Sequence, residues 1–574
     1  MAQDDLATPS KHKSSAMPEY RYRWQSSSLL LTILCGTALL WFPQEGRPIW
    51  EMLKWDDHTS YPFFLAITLT FFLPVTATAR YEQLLRWIGT HPASVAFTTA
   101  ATLAALAPLI YQGKPLSTDE YLFWFQAHSF AQGRLFAAYP PEWLPHIFGA
   151  DSLFLSDWKH GHLLSPYWPG FSLLLAPFAF IGLPWLCNPI VVGLSLYVLW
   201  LISRDLFVDS RAQGLTLLLA LASSAFFFNG VTFYAMPAHL LLNAVFVWLI
   251  LQHGTRHIFL AGLTGSFALI LHNPLPHVLF ALPWIGWLVA TRPRQKLIPL
   301  AAGYLPVSLL VGLGWASFRL GAQCSPACAA ASSVVDQTSA SLSAVGAFGT
   351  SAFVLPDSNI LVWRAAGAVK LWLSSVPGMI LIACMASIRC DDKRTWLLAG
   401  SGLLTFVGYF FIPFDQGFGW GYRYFHSAWF VLPLLATAFL VQSGNLATSS
   451  NDYVRLARAA LLCLILLFPA KGWIMARYTG DHWNQMPPHD IASNEILFKN
   501  AVGNWGYFVA QNPPDMQTTP TVFLSRGRRL DRKFLDKNFP GAELSGINAY
   551  GTSYRVPQDE RPYNQLRRFR RDTD

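Results

Sequence analysis

The sequence predicts an all-α polytopic membrane protein of about 13 transmembrane helices, built from apolar runs of which several are near the lower length limit for a membrane helix. Three observations predict it. Of 574 residues, 53% are hydrophobic and only 13% charged, against roughly a quarter charged in soluble domains; the mean hydropathy is +0.32. The charge deficit is uneven, with long apolar runs separated by short polar punctuation. Aromatic residues make up 15% of the chain, including 23 Trp and 42 Phe, which suits interfacial anchors and a lipid-facing surface. The net charge of +9 sits in short loops and at the C-terminus, with no Gly-rich or RNA-binding signature, so no nucleic-acid partner is expected. No internal repeat, Walker motif, dinucleotide-binding loop or HExxH motif is present.

Residues 1–25 are polar and contain Lys11, Lys13, Arg21 and Arg23, as a disordered cytoplasmic start would. The run 27–42 reads as a span, because no small-residue cleavage site follows it. With a second span at 61–79 it forms a two-span N-terminal unit, 26–92. A main transmembrane unit, 93–475, follows. Its spans are expected at 93–111, 186–203, 212–229, 238–252, 257–272, 274–290, 297–316, 366–388, 395–413, 425–442 and 458–475. Lys and Arg recur on one side of these spans: Arg80 and Arg86, Arg204 and Arg211, Arg256, Arg292 to Lys296, Arg389 to Arg394, and Arg455 and Arg458. That asymmetry places the N-terminus in the cytoplasm and Asp119 outside.

Residues 117–185 then form a first external loop. It holds an expected amphipathic interfacial helix around Tyr121–Arg134 and a juxtamembrane or re-entrant helix at 167–186. A second external loop covers 317–362, where Cys324 and Cys328 could form a disulfide. Cys35, Cys187, Cys384 and Cys463 lie inside apolar runs and read as small core residues. Residues 476–574 form a small external segment with a strand at Thr521–Leu524 and a solvated basic tail, Arg567 to Arg571.

The candidate chemistry gathers on the outer face. Ser117-Thr118-Asp119-Glu120-Tyr121 puts two carboxylates where a span surfaces, and charge beside a bilayer signals function. Asp119 could equally cap a helix beginning at Glu120, and the two roles are compatible. The same loop offers His128, Arg134, Asp157, Lys159, His160 and His162. Later turns add Tyr234 and His239, then His272, Asn273 and His277, then Asp415, Tyr422, Arg423, Tyr424 and His426. His160 and His162 do not share a helix face at i,i+2 spacing, and no metal is expected. A carboxylate base with cations beside a lipid-exposed groove fits sugar transfer from a lipid phosphate to a hydroxyl. The base takes the acceptor proton and the cations stabilise the departing phosphate. No other cofactor is needed.

These residues resemble the GT-C class of integral-membrane glycosyltransferases, which use polyprenyl-phosphate-linked sugars and include protein O-mannosyltransferases and lipid A aminoarabinose transferases. Asp119-Glu120 resembles the acidic motif of that class, and the downstream helix from Gln126 to Leu135 follows it. Ser165-Pro166-Tyr167-Trp168-Pro169-Gly170 resembles the bacterial Tyr-Pro-Pro-Gly turn, with Leu183-Pro184-Trp185 and Asn188-Pro189 after it. Ala235-Met236-Pro237-Ala238-His239 resembles a Met-Ser-His turn, and Gly421-Tyr422-Arg423-Tyr424 a Gly-x-Arg-Tyr turn. The likeness runs from about residue 93 to about residue 475. Leu164-Ser165 stands where relatives often carry Lys, and His272-Asn273-Pro274 where they often carry Arg-Pro. Both changes remove a phosphate cation.

The resemblance implies an inverting transferase in a bacterial cytoplasmic membrane with its active site outward. Its partners would be a polyprenyl-phosphate-linked sugar donor, an extracytoplasmic acceptor and the bilayer. Asp119 is then the general base and Glu120 its support. Arg423, Lys159 and His272 are the phosphate contacts, and Tyr167, His239, Tyr422, Tyr424, His162 and Arg134 line the pocket. The rival reading is a flippase or transporter of lipid-linked sugars, which would place ionisable residues inside the membrane. In this sequence the polar groups are expected at one surface.

Overall fold

The fold comes from a computed structural model that describes residues 23–43, 48–147, 155–157, 160–252, 254–291, 296–322, 353–414, 417, 419–442, 451–484, 494–500, 512–518 and 520–573. Lys159, Cys324, Cys328 and Asp415 lie outside the described residues, as does most of the second expected loop. An apolar run in lipid must satisfy its own backbone, and a helix does so within one segment. Five helices among the described residues are long and apolar enough to cross a membrane: Trp24–Trp41, Pro92–Tyr111, Pro184–Leu206, Leu297–Arg319 and Asp452–Trp483. Ser210–Leu221 and Ser224–Val231, bent by 64°, make a sixth if counted as one broken span. Five shorter apolar helices accompany them: Gly170–Phe180, Met236–Leu251, Leu275–Thr291, Met379–Arg389 and Val431–Gln442.

Two expected spans take a different form. In place of 61–79, the chain is helical from Pro48 to Leu69 and ends in a 3-10 turn at Thr70–Phe72, just before Pro74. Lys54, Asp56 and Asp57 lie inside this helix, and their charge hid its first half in the sequence. The expected span 366–388 is broken into Ser358–Leu373 and Met379–Arg389. Pro377, which has no N–H to donate, and Gly378 at φ +80° sit at the break.

Charge ties the N-terminal helices to the rest. A π turn at Leu53–Asp57 buries Asp56 and Asp57. Lys471 Nζ donates to Asp56 Oδ1 at 2.8 Å, and Lys370 pairs with Asp57. All four side chains are buried. The sequence did not single out these four groups among its candidates. The quartet is neutral as a set, which is how buried ions are tolerated.

The first loop is also less exposed than its sequence suggested. The Thr118–Ala131 helix buries Asp119 to Phe123, Phe125 to Ala127 and Ser129, so it is enclosed rather than lying on an interface. Part of its cover is the C-terminal segment: Tyr121 Oη donates to the Asn512 carbonyl at 2.7 Å. The 167–186 stretch is an 11-residue helix, Gly170–Phe180, and a 3-10 turn at Pro184–Leu186. At about 1.5 Å per residue that helix is too short to cross a bilayer.

The architecture is not all-α. Ala137–Ala138, His162–Leu164 and Leu155–Asp157 form a small antiparallel sheet with His162–Leu164 in the middle. The C-terminal segment is an α/β unit. Its strand order is Thr521–Ser525, Glu495–Asn500, Gly551–Arg555, Glu543–Asn548, with the first pair parallel and the others antiparallel. Phe498, Phe523, Phe534 and Phe539 share a core with Trp143 of the first loop. The basic tail is helical, Pro562–Thr573. Arg570 is buried and donates to the carbonyls of Pro514 at 2.7 Å and Ala138 at 3.3 Å, so that arginine is structural rather than solvated.

Candidate functional site

The site begins where the Pro92–Tyr111 helix stops. Gln112 and Gly113 take positive φ, and the chain turns into the Thr118–Ala131 helix. The cap of that helix is Ser117. Its Oγ accepts from the Glu120 N–H at 3.4 Å, while Glu120 Oε2 accepts from the Ser117 N–H at 2.9 Å, a reciprocal capping box. Capping therefore falls to Ser117 and not to Asp119, whose carboxylate is left for other partners.

Those partners come from distant segments. Tyr167 Oη donates to Asp119 Oδ1 at 2.6 Å, and Arg423 Nη2 donates to Oδ2 at 2.8 Å. The guanidinium lies over the Tyr234 ring, 4.4 Å from its centroid, a cation–π arrangement in a desolvated place. The Tyr167 ring stacks on Phe123 at 4.9 Å and meets His272 at 4.8 Å. His239 reaches the His272 ring at 6.0 Å, and neither of its ring nitrogens has a hydrogen-bond partner among the described residues.

Each side chain is aimed by its own turn. The Arg423 N–H donates to the Gly417 carbonyl at 3.3 Å. Gly421 has φ +104°, and a Cβ there would lie 2.5 Å from Ala225 Cβ, so only glycine fits. The Tyr234 turn is fixed by Asn188, whose Nδ2 donates to the carbonyls of Thr232 at 2.7 Å and Tyr234 at 2.9 Å. Glu120 joins that turn to the site helix, its Oε1 accepting from the Phe233 N–H at 2.9 Å. Backbone bonds from Trp168 to the His272 carbonyl and from Gly170 to that of Ile270 set Tyr167 beside His272.

The two adjacent carboxyls are tuned in opposite directions. Burial alone would push Asp119 up, but Arg423, the Tyr167 hydroxyl and His272 outweigh it and hold the carboxyl below its usual value. Burial pushes Glu120 up to about 7, against the N–H groups of Phe233 and Ser117. Burial also holds His272 down to about 4.

The structure thus brings together Asp119, Tyr167, Arg423, His272 and His239, with Glu120 behind them. It leaves others apart. Arg134 follows the far end of the site helix, roughly 20 Å along it from Asp119 at the usual rise. His162 lies on the small sheet, its ring 3.9 Å from that of Phe136. Tyr422 and Tyr424 flank Arg423 but pack away from the carboxylate, Tyr422 on Gly367 and Tyr424 on the Tyr409 ring at 4.2 Å. His277 bonds Asn243 at 2.8 Å and Tyr304 at 2.7 Å. Tyr234 and Phe123 complete the walls. Tyr234 stood in a noted turn, but nothing in the sequence pairs it with Arg423. A cavity of about 670 Å³ between the Pro92–Tyr111 and Phe468–Trp483 helices is lined by Val95, Leu106, Ile110, Phe228 and Phe468, among others, and by none of the site residues. No group of three His, Cys, Asp or Glu able to hold a metal occurs among the described residues.

No family model and no curated protein matches the chain. Among solved structures, it is similar to ArnT, a lipid A aminoarabinose transferase of the GT-C type, from Cupriavidus metallidurans. With the crystal structure bound to undecaprenyl phosphate the TM-score is 0.51 at 10% identity, over 81% of this chain and 98% of that one. With the apo crystal structure the TM-score is 0.48 at 11% identity, over 82% and 98%. The first of these likenesses gives the chain a fold like that of ArnT.

Proposed function

We propose, from that shared fold and this site, that the chain is an inverting glycosyltransferase. It moves a sugar from a polyprenyl-phosphate donor to an extracytoplasmic glycan, lipid or protein, at the outer face of a bacterial cytoplasmic membrane. The observation that carries the reading is the buried Asp119 held between the Tyr167 hydroxyl and the Arg423 guanidinium. The neighbour's bound undecaprenyl phosphate supports a lipid phosphate as the leaving group.

In this reading the acceptor hydroxyl replaces Tyr167 at Asp119 Oδ1 and gives its proton to that oxygen. The acceptor oxygen bonds to the anomeric carbon as the bond from that carbon to the phosphate oxygen breaks on the opposite face. The polyprenyl phosphate leaves as an anion against Arg423, whose planar fork suits phosphate. Arg423 also links the two halves of the reaction. A guanidinium drawn toward donor phosphate holds Asp119 less tightly, so the carboxylate becomes more basic once donor is bound. Glu120 keeps the site helix in place, and His272 and His239 serve the sugar as neutral hydrogen-bonding groups. No step uses a metal or a nucleotide.

The Asp56, Asp57, Lys370 and Lys471 quartet is the feature a transporter would favour. Each acid there is paired with a lysine, so the set holds no net formal charge of its own. The test is transfer by purified protein from a synthetic polyprenyl-phosphate sugar, with NMR of the product anomer. Asp119→Asn should lower the rate on the order of a hundredfold or more, and the product should be inverted. Activity within a few-fold of the parent, or retention at the anomeric carbon, would overturn the assignment.

A further inference from the structure

Arg364 lies on the Ser358–Leu373 helix, fully buried, and no carboxylate among the described residues pairs with it. Its Nε donates to the Tyr409 carbonyl at 2.8 Å, and its Nη2 to the carbonyls of Ile412 at 2.7 Å and Phe414 at 2.8 Å. The Tyr409 carbonyl belongs to the 3-10 turn Tyr409–Phe411 that follows the Lys393–Gly408 helix, and those of Ile412 and Phe414 to the chain just beyond it, where backbone acceptors lack helical partners. The guanidinium also faces the Tyr424 ring at 4.8 Å, and the Tyr424 hydroxyl donates to the same Phe414 carbonyl at 3.2 Å. Two residues earlier, Tyr422 packs on Gly367 of the same helix, so closely that a Cβ there would lie 2.3 Å from the ring. Both neighbours of Arg423 are therefore held by one helix, while Arg423 itself reaches Asp119.

We propose that Arg364 is a positioning residue for Arg423, fixing the Tyr422–Tyr424 turn so that its guanidinium meets Asp119 and the anionic leaving group. Burying an unpaired cation is costly, and three carbonyls converging on one planar fork offset that cost in a way lysine cannot reproduce. The groups facing Asp119 are Arg423, Tyr167, His272 and Tyr234, and of these Arg423 is the one whose turn Arg364 holds. The inference rests on the proposed transferase reading for its kinetic arm.

The experiment compares Arg364→Lys, Gly367→Ala, Arg423→Gln and the double variant Arg364→Lys/Arg423→Gln in the purified full chain, at matched melting temperature and monodispersity. Two quantities are read: binding of sugar-free polyprenyl phosphate, and the pH profile of transfer. Arg364→Lys should weaken polyprenyl phosphate on the order of tenfold. It should also move the acid limb of the rate profile to higher pH, as Arg423→Gln does, and add little to Arg423→Gln in the double variant. Gly367→Ala, which presses on Tyr422 and leaves Arg364 in place, should shift both readings the same way, and serves where Arg364→Lys does not fold. If Arg423→Gln shifts both readings while Arg364→Lys and Gly367→Ala shift neither, Arg364 is only structural and the inference is overturned. If Arg423→Gln itself shifts neither, the transferase assignment of Arg423 fails first.

Discussion

A carboxylate between a phenol and a guanidinium is a poor base and a stable ion, and both properties follow from the same contacts. Held below its usual value, Asp119 keeps its proton-accepting form into acid, and the transfer rate is lost only as pH falls through that lowered value. Arg423→Gln removes the strongest of the opposing charges and leaves burial, which pushes the other way. The acid limb of kcat/KM against pH should then move up; a limb that stays put would separate the two residues. Asp119→Asn should keep its helix, because the cap is Ser117, at a lower melting point because Arg423 loses its carboxylate partner; a circular dichroism spectrum with the parent's helicity would check it. The sequence pointed to Asp119 and to Arg423 but not to their contact, since 304 positions separate them. Lys159, chosen as a cation, lies outside the described residues.

At the scale of the element, the Thr118–Ala131 helix depends on a second carboxyl used for structure. Glu120 is raised to about 7, above its unfolded value of about 4.3. The folded protein therefore binds more protons than the unfolded chain between those values. Its contribution to stability is full below the unfolded value and declines as pH rises to about 7. Thermal melts should show that slope, and Glu120→Gln should flatten it. The quartet in the N-terminal helices gives a sharper test. Lys370→Met strands a buried Asp57 and should cost about 3–5 kcal/mol, seen as lost yield and a lower melting point. The charge-neutral pair Lys370→Met with Asp57→Asn should recover most of it. A single variant as stable as the double would mean that the pair is open to water.

For the whole molecule, orientation is the first question, and the Lys/Arg asymmetry answers it by expectation. A reporter fused after Thr573 should read outside, and one fused between Arg389 and Arg394 should read cytoplasmic; both on one side would mean that the span count between them is wrong by an odd number. The sequence by itself determined the helical membrane architecture, because composition and apolar run length are local and the bilayer leaves a chain few options. It also determined which turns carry polar groups, for the same reason. What the tertiary structure alone decided are the pairings: Asp119 with Arg423 and Tyr167, Asp57 with Lys370, Arg364 with three carbonyls, and the C-terminal sheet with the first loop. Strand partners such as Glu495 and Arg555 and charge partners hundreds of positions apart leave no local period to read. Their energy depends on burial, which a residue acquires only when distant segments close around it.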